Sequence, residues 1–158
     1  MNHIERAREL FLKGYNCSQS VFCAFAEEYG IPMEQALRLS ASFGGGIGRM
    51  RETCGAVCGM AMLAGMETGQ TNPDDSAQKQ TNYHAVQDLA EQFRQINGSI
   101  KCAELLQLRK DAPITSVPEQ RTEEYYHKRP CLRMVETAVE LFEEFKNQNT
   151  VSAVCEHN

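Results

Sequence analysis

Cysteines are the residues of this chain most able to do chemistry, and there are seven of them among 158 residues. A cysteine thiolate is both a nucleophile and a metal ligand. A secreted disulfide scaffold would be shorter and would usually pair its cysteines evenly, whereas intracellular thiols stay reduced unless they are catalytic or bind metal. The odd count in a chain of this length therefore indicates thiol or metal chemistry.

Four of the cysteines fall at predicted helix starts: Cys17, Cys54, Cys102 and Cys131. Unpaired backbone N–H groups and the helix dipole stabilise a thiolate there, so we expect lowered pKa values for these thiols. If the helix starts converge at one end of a bundle, the four sulfurs meet in space. The competing interpretation is that they are core residues, because free cysteine behaves as a small hydrophobe.

The other three cysteines show different patterns. Cys23 lies in the middle of a predicted helix beside Phe22 and is expected to pack in the core. Cys58 lies one turn after Cys54 on the same face, so it is either a fifth sulfur ligand or a packing residue, and we favour packing. Cys155 falls near the C-terminus and is expected to be incidental.

The elements that would position these thiols are helices, because the hydrophobic period is helical nearly everywhere and no stretch alternates as a strand does. We predict an all-α fold, a compact single-domain bundle of about six or seven helices. The domain covers residues 1–147, and residues 148–158 form a C-terminal tail that is expected to fray. Predicted helices are 2–13, 17–29, 32–43, 54–67, a long one ending at 97, 102–108, and one starting near 130. The long helix is predicted to face inward with Tyr83, Val86, Ala90, Phe93 and Ile96.

The charge pattern excludes several partners. Sixteen basic and twenty-one acidic residues give a net charge of −5, and the basic residues are scattered, so neither nucleic acid nor an anionic membrane is expected to bind. The chain starts with polar residues, and no apolar run approaches the ~18 residues that a membrane span needs, so we expect a cytoplasmic protein without membrane insertion. The apolar helix at 54–67 is compatible with a homodimer. The sequence does not identify the redox partner.

Three stretches and two isolated cysteines carry a resemblance to a known family: residues 14–21 (GYNCSQSV), 43–50 (FGGGIGRM) and 52–59 (ETCGAVCG), followed by Cys102 and Cys131. The sequence resembles the redox-active proteins named for their C_GCAxxG_C_C cysteine pattern, over nearly the whole chain. The resemblance implies that Cys17, Cys54, Cys102 and Cys131 are the signature cysteines, and that Cys58 occupies a variable position. A related domain occurs in a haem protein that carries an iron–sulfur centre, but this chain has no Cys-x-x-Cys-His for haem attachment.

Four thiolates have several uses, and the sequence leaves them open. An iron–sulfur cluster or related metal, bound by the four cysteines for electron transfer or redox sensing, is our first hypothesis. The second is a thiol–disulfide oxidoreductase that uses a cysteine pair. Structural zinc ranks third, because structural zinc sites usually come from close Cys-x₂₋₄-Cys pairs, which these four cysteines do not form. A non-catalytic interaction protein is the remaining alternative. Whether the chain is an enzyme stays open.

The glycine-rich stretch around residue 45 is a candidate cofactor-binding segment. Its spacing fits neither of the common phosphate-binding patterns. We expect Gly45 and Gly46 to let the chain pass tightly around the cysteine site, with backbone amides able to hydrogen-bond thiolate or sulfide. Arg49 and Glu52, which match the family pattern, would tune or gate the site, or form an ion pair that faces solvent.

Overall fold

Eight α-helices make up the fold of the described residues. The computed structural model describes the backbone of residues 1–155 and the side chains of residues 1–150. Within these residues there is no β-strand, only one bridge between Thr53 and Lys101, so the predicted all-α class is confirmed. The helices are α1 His3–Leu12, α2 Cys17–Phe25, α3 Met33–Ala41, α4 Gly55–Thr68, α5 Ser76–Asn97, α6 Cys102–Leu105, α7 Glu123–Lys128 and α8 Cys131–Cys155.

Local capping explains where the first two helices begin. The side chains of Asn2 and Asn16 each accept a hydrogen bond from the backbone N–H three residues on. In turn, the side-chain oxygens of Glu5 and Gln19 accept from the backbone N–H of the cap residue. Such capping boxes satisfy two otherwise unpaired N–H groups at the helix start. The cap at Asn16 therefore fixes the orientation of the residue that follows it, Cys17.

The core lies where α2, α4 and α8 pack against one another. Helix α4 is apolar on most faces and buries Met60 and Leu63, as its sequence predicts for a central helix. A Cβ at Gly59 would lie 2.9 Å from the Cβ of Val21, which is closer than side chains tolerate. This glycine therefore lets α2 and α4 approach closely.

The buried line of α5 differs from the predicted one. Ala85, Leu89 and Phe93, spaced four residues apart, face α4 and α8, whereas Tyr83 and Ile96 are 58% and 60% exposed. At 3.6 residues per turn, Tyr83 lies about 200° around the helix from Ala85 and so faces away from this stripe, whereas Ile96 is the last residue but one of the 22-residue helix.

The region between α6 and α8 also differs from expectation. Helix α6 ends at Leu105 rather than near residue 108, because Gln107 takes a left-handed backbone conformation with φ 54°. The stretch between residues 108 and 130, for which the sequence predicts no helix, contains α7, which starts after the cap residue Thr122. The predicted tail, 148–158, falls partly on α8 and partly on residues outside the described part of the chain. In the described part, no helix has both the length and the apolar character that crossing a membrane demands.

Candidate four-cysteine site

The four cysteines at helix starts line one cavity of about 330 Å³. Cys17, Cys102 and Cys131 are the first residues of α2, α6 and α8, and Cys54 caps α4. All four thiols are free. Cys54 and Cys102 are 5% and 7% exposed, whereas Cys17 and Cys131 are half-buried at the cavity wall. The fold therefore brings together four sulfurs that the sequence separates widely.

Backbone hydrogen bonds hold two of these cysteines side by side. The N–H of Cys54 donates to the carbonyl of Ile100 at 2.7 Å, and the N–H of Cys102 donates to the carbonyl of Glu52 at 2.7 Å. These bonds flank the bridge between Thr53 and Lys101. Backbone hydrogen bonds alone thus fix the start of α4 to the start of α6.

The glycine-rich loop before α4 forms the floor of the cavity. Residues 45–49 all have left-handed backbone conformations, and for two of them, Ile47 and Arg49, this conformation is strained. At Gly46, with φ 72°, a Cβ would lie 2.6 Å from the Cβ of Cys102. At Gly55 a Cβ would lie 3.2 Å from the Cβ of Cys17. Glycine at both positions lets the backbone pass close behind the sulfurs.

Arginine side chains surround the thiols. Arg51 donates from Nη1 to the sulfur of Cys102 at 3.7 Å. Arg121 stacks between the rings of Phe11 and Tyr125, with its guanidinium carbon 4.7 and 4.6 Å from the ring centroids. Such stacking holds a guanidinium in place with little motion. Arg121 also lines the cavity, so its charge is fixed beside the sulfurs.

The segment between α6 and α7 covers one side of the cavity and is fastened by arginines. Arg49 donates from Nη1 to the carbonyl of Thr115 at 2.8 Å. Arg129, whose side chain is only 16% exposed, pairs with Glu119 at 2.5 Å. These contacts explain how a segment without regular structure takes a defined position at the cavity.

Cys17 and Cys131 interact directly with each other. The thiol of Cys17 donates toward the sulfur of Cys131, which raises the pKa of Cys17 well above its usual value, and burial adds to this rise. The same bond lowers the pKa of Cys131 to about 7; burial opposes the shift, and the positive charges of Arg129 and Arg121 support it. Cys131 is therefore the thiol of the pair that ionises first.

The expectation that all four helix starts lower the thiol pKa is wrong for the other two cysteines as well as for Cys17. Burial raises the pKa of Cys54 to about 12, although the N–H groups of Ala56 and Val57 oppose it. Burial also raises the pKa of Cys102, against the opposing effect of Arg51. The loss of water around a thiolate outweighs the helix dipole at these buried positions.

The remaining predicted site residues divide between the cavity and other places. Gly45, Gly46 and Arg49 line the cavity. The side chain of Glu52 instead faces solvent, 3.9 Å from Lys101, and only its carbonyl reaches Cys102.

Two further cysteines lie away from the cavity wall. Cys58 donates to the carbonyl of Thr53 at 3.7 Å and does not line the cavity, and Cys23 is buried in the core beside Ser40. The side chain of Cys155 lies outside the described residues.

Sequence reasoning did not select Arg51, Arg121 and Arg129 as site residues. Arg51 lies between the two stretches, 43–50 and 52–59, that carry the family resemblance, three residues before Cys54, and Arg129 lies two residues before Cys131, so nearness to a signature cysteine was an available signal. Arg121 follows an irregular stretch far from any motif. No local pattern marks it.

Comparison with known proteins identifies a family and one relative. A family model described as "Putative redox-active protein (C_GCAxxG_C_C)" matches residues 15–145. The chain belongs to this family. It is also 29% identical over 155 residues to an uncharacterized protein of Archaeoglobus fulgidus, covering 92% of this chain and 94% of that relative. No solved structure gives a significant match. Membership in the C_GCAxxG_C_C family supports a redox role and leaves the reaction unnamed.

The donor set determines which metal groups fit. Within the described residues, no group of three or more His, Cys, Asp or Glu side chains has the arrangement that a metal ion requires. All four cysteines nevertheless line the same cavity, together with glycines and arginines. A single ion would need the sulfurs to close around one point, whereas a cluster contains bridging atoms and distributes its thiolate ligands over several metals.

Proposed function

We propose that the protein binds an iron–sulfur cluster, or a related redox metal centre, through Cys17, Cys54, Cys102 and Cys131, and serves in electron transfer or redox sensing. One observation carries the proposal: thiols from four separate helix starts line a single cavity. Disulfide exchange needs only two sulfurs. Iron–sulfur clusters are held by four cysteine thiolates, so this use accounts for the whole set.

The charges around the cavity support the same use. A site with four thiolates is anionic, and thiolates are costly to bury without nearby positive charge. Arg51, Arg121 and Arg129 lie against the sulfurs and provide that charge. Hydrogen bonds to cluster sulfurs, net charge and exposure set the potential of such centres.

Each part of the chain has a definite role in this proposal. The four thiols bind the centre, which when present supplies one-electron chemistry. Gly46 and Gly55 provide the space for close approach of the backbone, and the segment around Thr115 limits the entry of water. Arg51 donates a hydrogen bond to the Cys102 sulfur and so favours the more negative, reduced state.

Anaerobic purification with iron and sulfide analysis tests the proposal. We expect stoichiometric iron and acid-labile sulfide, with visible absorption, either as isolated or after reconstitution. Serine at any one of the four cysteines should weaken or abolish the absorption, whereas Cys58→Ser, which changes a thiol outside the cavity, should retain it. A colourless protein that remains free of iron after reconstitution would overturn the proposal.

A second candidate function rests on the contact between Cys17 and Cys131. In thiol–disulfide exchange, the Cys131 thiolate would attack a substrate disulfide and release one thiolate. Cys17, after losing its proton to solvent, would then attack Cys131 and release the second, leaving a Cys17–Cys131 disulfide. The lowered pKa of Cys131 and its partial exposure suit an attacking thiol.

Mild oxidation of the metal-free protein followed by peptide mass spectrometry separates this candidate from the first. A reversible disulfide that joins Cys17 to Cys131, together with turnover of a small disulfide, would support it. Thiols that do not react at neutral pH would eliminate it, and serine at Cys54 or Cys102 should leave this chemistry in place.

A further inference from the structure

Positively charged side chains line the four-cysteine cavity in addition to its sulfurs. Four arginines line it, against one acidic residue, Glu119. The chain as a whole carries a net charge of −5, so this wall is a local reversal of the protein's charge. Glu119 is already paired with Arg129, so in the part of the chain that the structure describes no carboxylate that lines the cavity remains to balance the other three arginines.

Within the described residues, two of these arginines, Arg49 and Arg121, have no carboxylate partner. Arg49 donates to the neutral carbonyl of Thr115, and Arg121 donates from Nη2 to the neutral carbonyl of Tyr15. Nη1 of Arg121 is buried and has no hydrogen-bond partner among the described residues. Burial, with the nearby charges of Arg51 and Arg129, lowers the pKa of Arg49, which is the effect of crowding cations together.

We propose that this cavity binds a small anionic substrate, a carboxylate or an oxoanion, beside the sulfurs, with Arg49 and Arg121 as the binding residues. Guanidinium groups match the planar oxygen pairs of such anions. The volume of about 330 Å³ lies at the lower end of small-molecule sites. The inference deepens the proposed function, on which it rests for the reacting group, by naming the class of substrate that approaches it.

Two alkylating reagents of similar size test the proposal on reduced, metal-free full-length protein. Iodoacetate is an anion and iodoacetamide is neutral, so the ratio of their alkylation rates at one thiol reports how strongly the surroundings attract an anion. Both reagents react with the same thiolate, so the fraction of thiolate cancels from this ratio. Cys131, on the cavity wall, should show a ratio about fivefold above that of Cys58, which lies outside the cavity. Peptide mass spectrometry measures both sites in one sample.

Variants assign the effect to the named residues. Arg49→Gln and Arg121→Gln should each lower the iodoacetate to iodoacetamide ratio at Cys131 severalfold and leave that ratio at Cys58 unchanged. Arg49→Lys, which keeps the charge, should restore most of it. Arg38→Gln removes an equal charge from an exposed position on α3, paired only with Glu34, and should change neither ratio. Circular dichroism verifies that each variant is folded.

Direct titration identifies the anion and decides the case if Cys131 reacts with neither reagent. Malonate and inorganic phosphate, titrated calorimetrically at low and at physiological salt, distinguish a carboxylate from an oxoanion. Saturable binding that Arg49→Gln and Arg121→Gln weaken supports the proposal. Equal rate ratios at Cys131 and Cys58, or no saturable binding of either anion, overturns it. Iron and sulfide analysis is independent of this result, so loss of one proposal is distinguishable from loss of the other.

Discussion

Arg51 donates a hydrogen bond to the sulfur of Cys102 at 3.7 Å while its own backbone is left-handed, with φ 63°. The same residue accepts from the N–H of Ala103 at 3.2 Å and donates its N–H to the carbonyl of Gly45 at 3.1 Å. One arginine thus joins the glycine-rich loop, the start of α6 and a cysteine of the cavity. Its strained backbone conformation is held by these bonds on both sides.

Replacing Arg51 tests its effect on the redox centre. In Arg51→Gln we expect a lower reduction potential for the reconstituted protein, because a positive charge and its N–H stabilise the state with one more electron. Spectroelectrochemical titration measures the shift. Arg38→Gln, far from the thiols on α3, is the matched control, and an equal potential in both variants would contradict the assigned role.

Gly46 should tolerate no side chain. In Gly46→Ala the added Cβ would meet the Cβ of Cys102 at 2.6 Å and the N–H of Glu52 at 2.7 Å, in a left-handed backbone. We expect a loss of about 2 kcal/mol or more in the free energy of unfolding, with reduced iron content after reconstitution. Gly65→Ala, in α4 with open space around it, should instead gain about 0.5–1 kcal/mol. Urea denaturation compares the two.

The two asparagine caps form a natural pair for measuring what the site adds to a helix cap. Asn2→Ala removes a capping box at an exposed helix start and should cost about 1 kcal/mol. Asn16→Ala removes the same box and also the bond to the carbonyl of Ala41, beside Cys17. We expect a larger loss of stability and slower reconstitution. Equal effects on both measures would show that Asn16 does no more than cap α2.

The pH dependence of alkylation reports the ionisation of Cys131 in reduced, metal-free protein. Because the thiolate is the reacting form and its pKa is about 7, the iodoacetamide rate should rise with pH through 7 and level off above 8. Arg129→Gln should move the midpoint upward, since that guanidinium stabilises the thiolate. Cys58, with a pKa raised to about 11 by burial, should still be increasing in rate over the same range. A midpoint for Cys131 at its usual value would contradict the assignment of Cys131 as the thiol that ionises first.

The sequence predicts those features that depend on neighbouring residues. Asn16 before Cys17 and the glycines after several helices are local signals, so most helix starts and the placement of the four cysteines at them could be derived. Features that depend on distant residues could not. Arg121 is held at the cavity partly by Phe11, on whose ring it stacks, and by the carbonyl of Tyr15, both more than a hundred residues earlier in the chain.

Burial also limits what local patterns reveal about chemistry. The helix start predicts a lowered pKa for Cys54, but enclosure by the core, which sequence does not quantify, reverses the sign. Glu52 shows that a motif also does not decide which part of a residue reaches a site. Its place in a motif left open a side chain that tunes the site or one that forms an ion pair in solvent. The side chain lies in solvent beside Lys101, and the backbone carbonyl accepts from the N–H of Cys102.

The cavity draws its walls from nearly the full length of the chain, from Cys17 in α2 to Cys131 at the start of α8. A chain still being synthesised therefore lacks the complete set of sulfurs until the start of α8 has left the ribosome. Until then the earlier thiols are exposed to oxidants and to stray metal ions. An iron–sulfur centre or an anionic substrate bound as we propose would therefore require a finished polypeptide rather than a growing one.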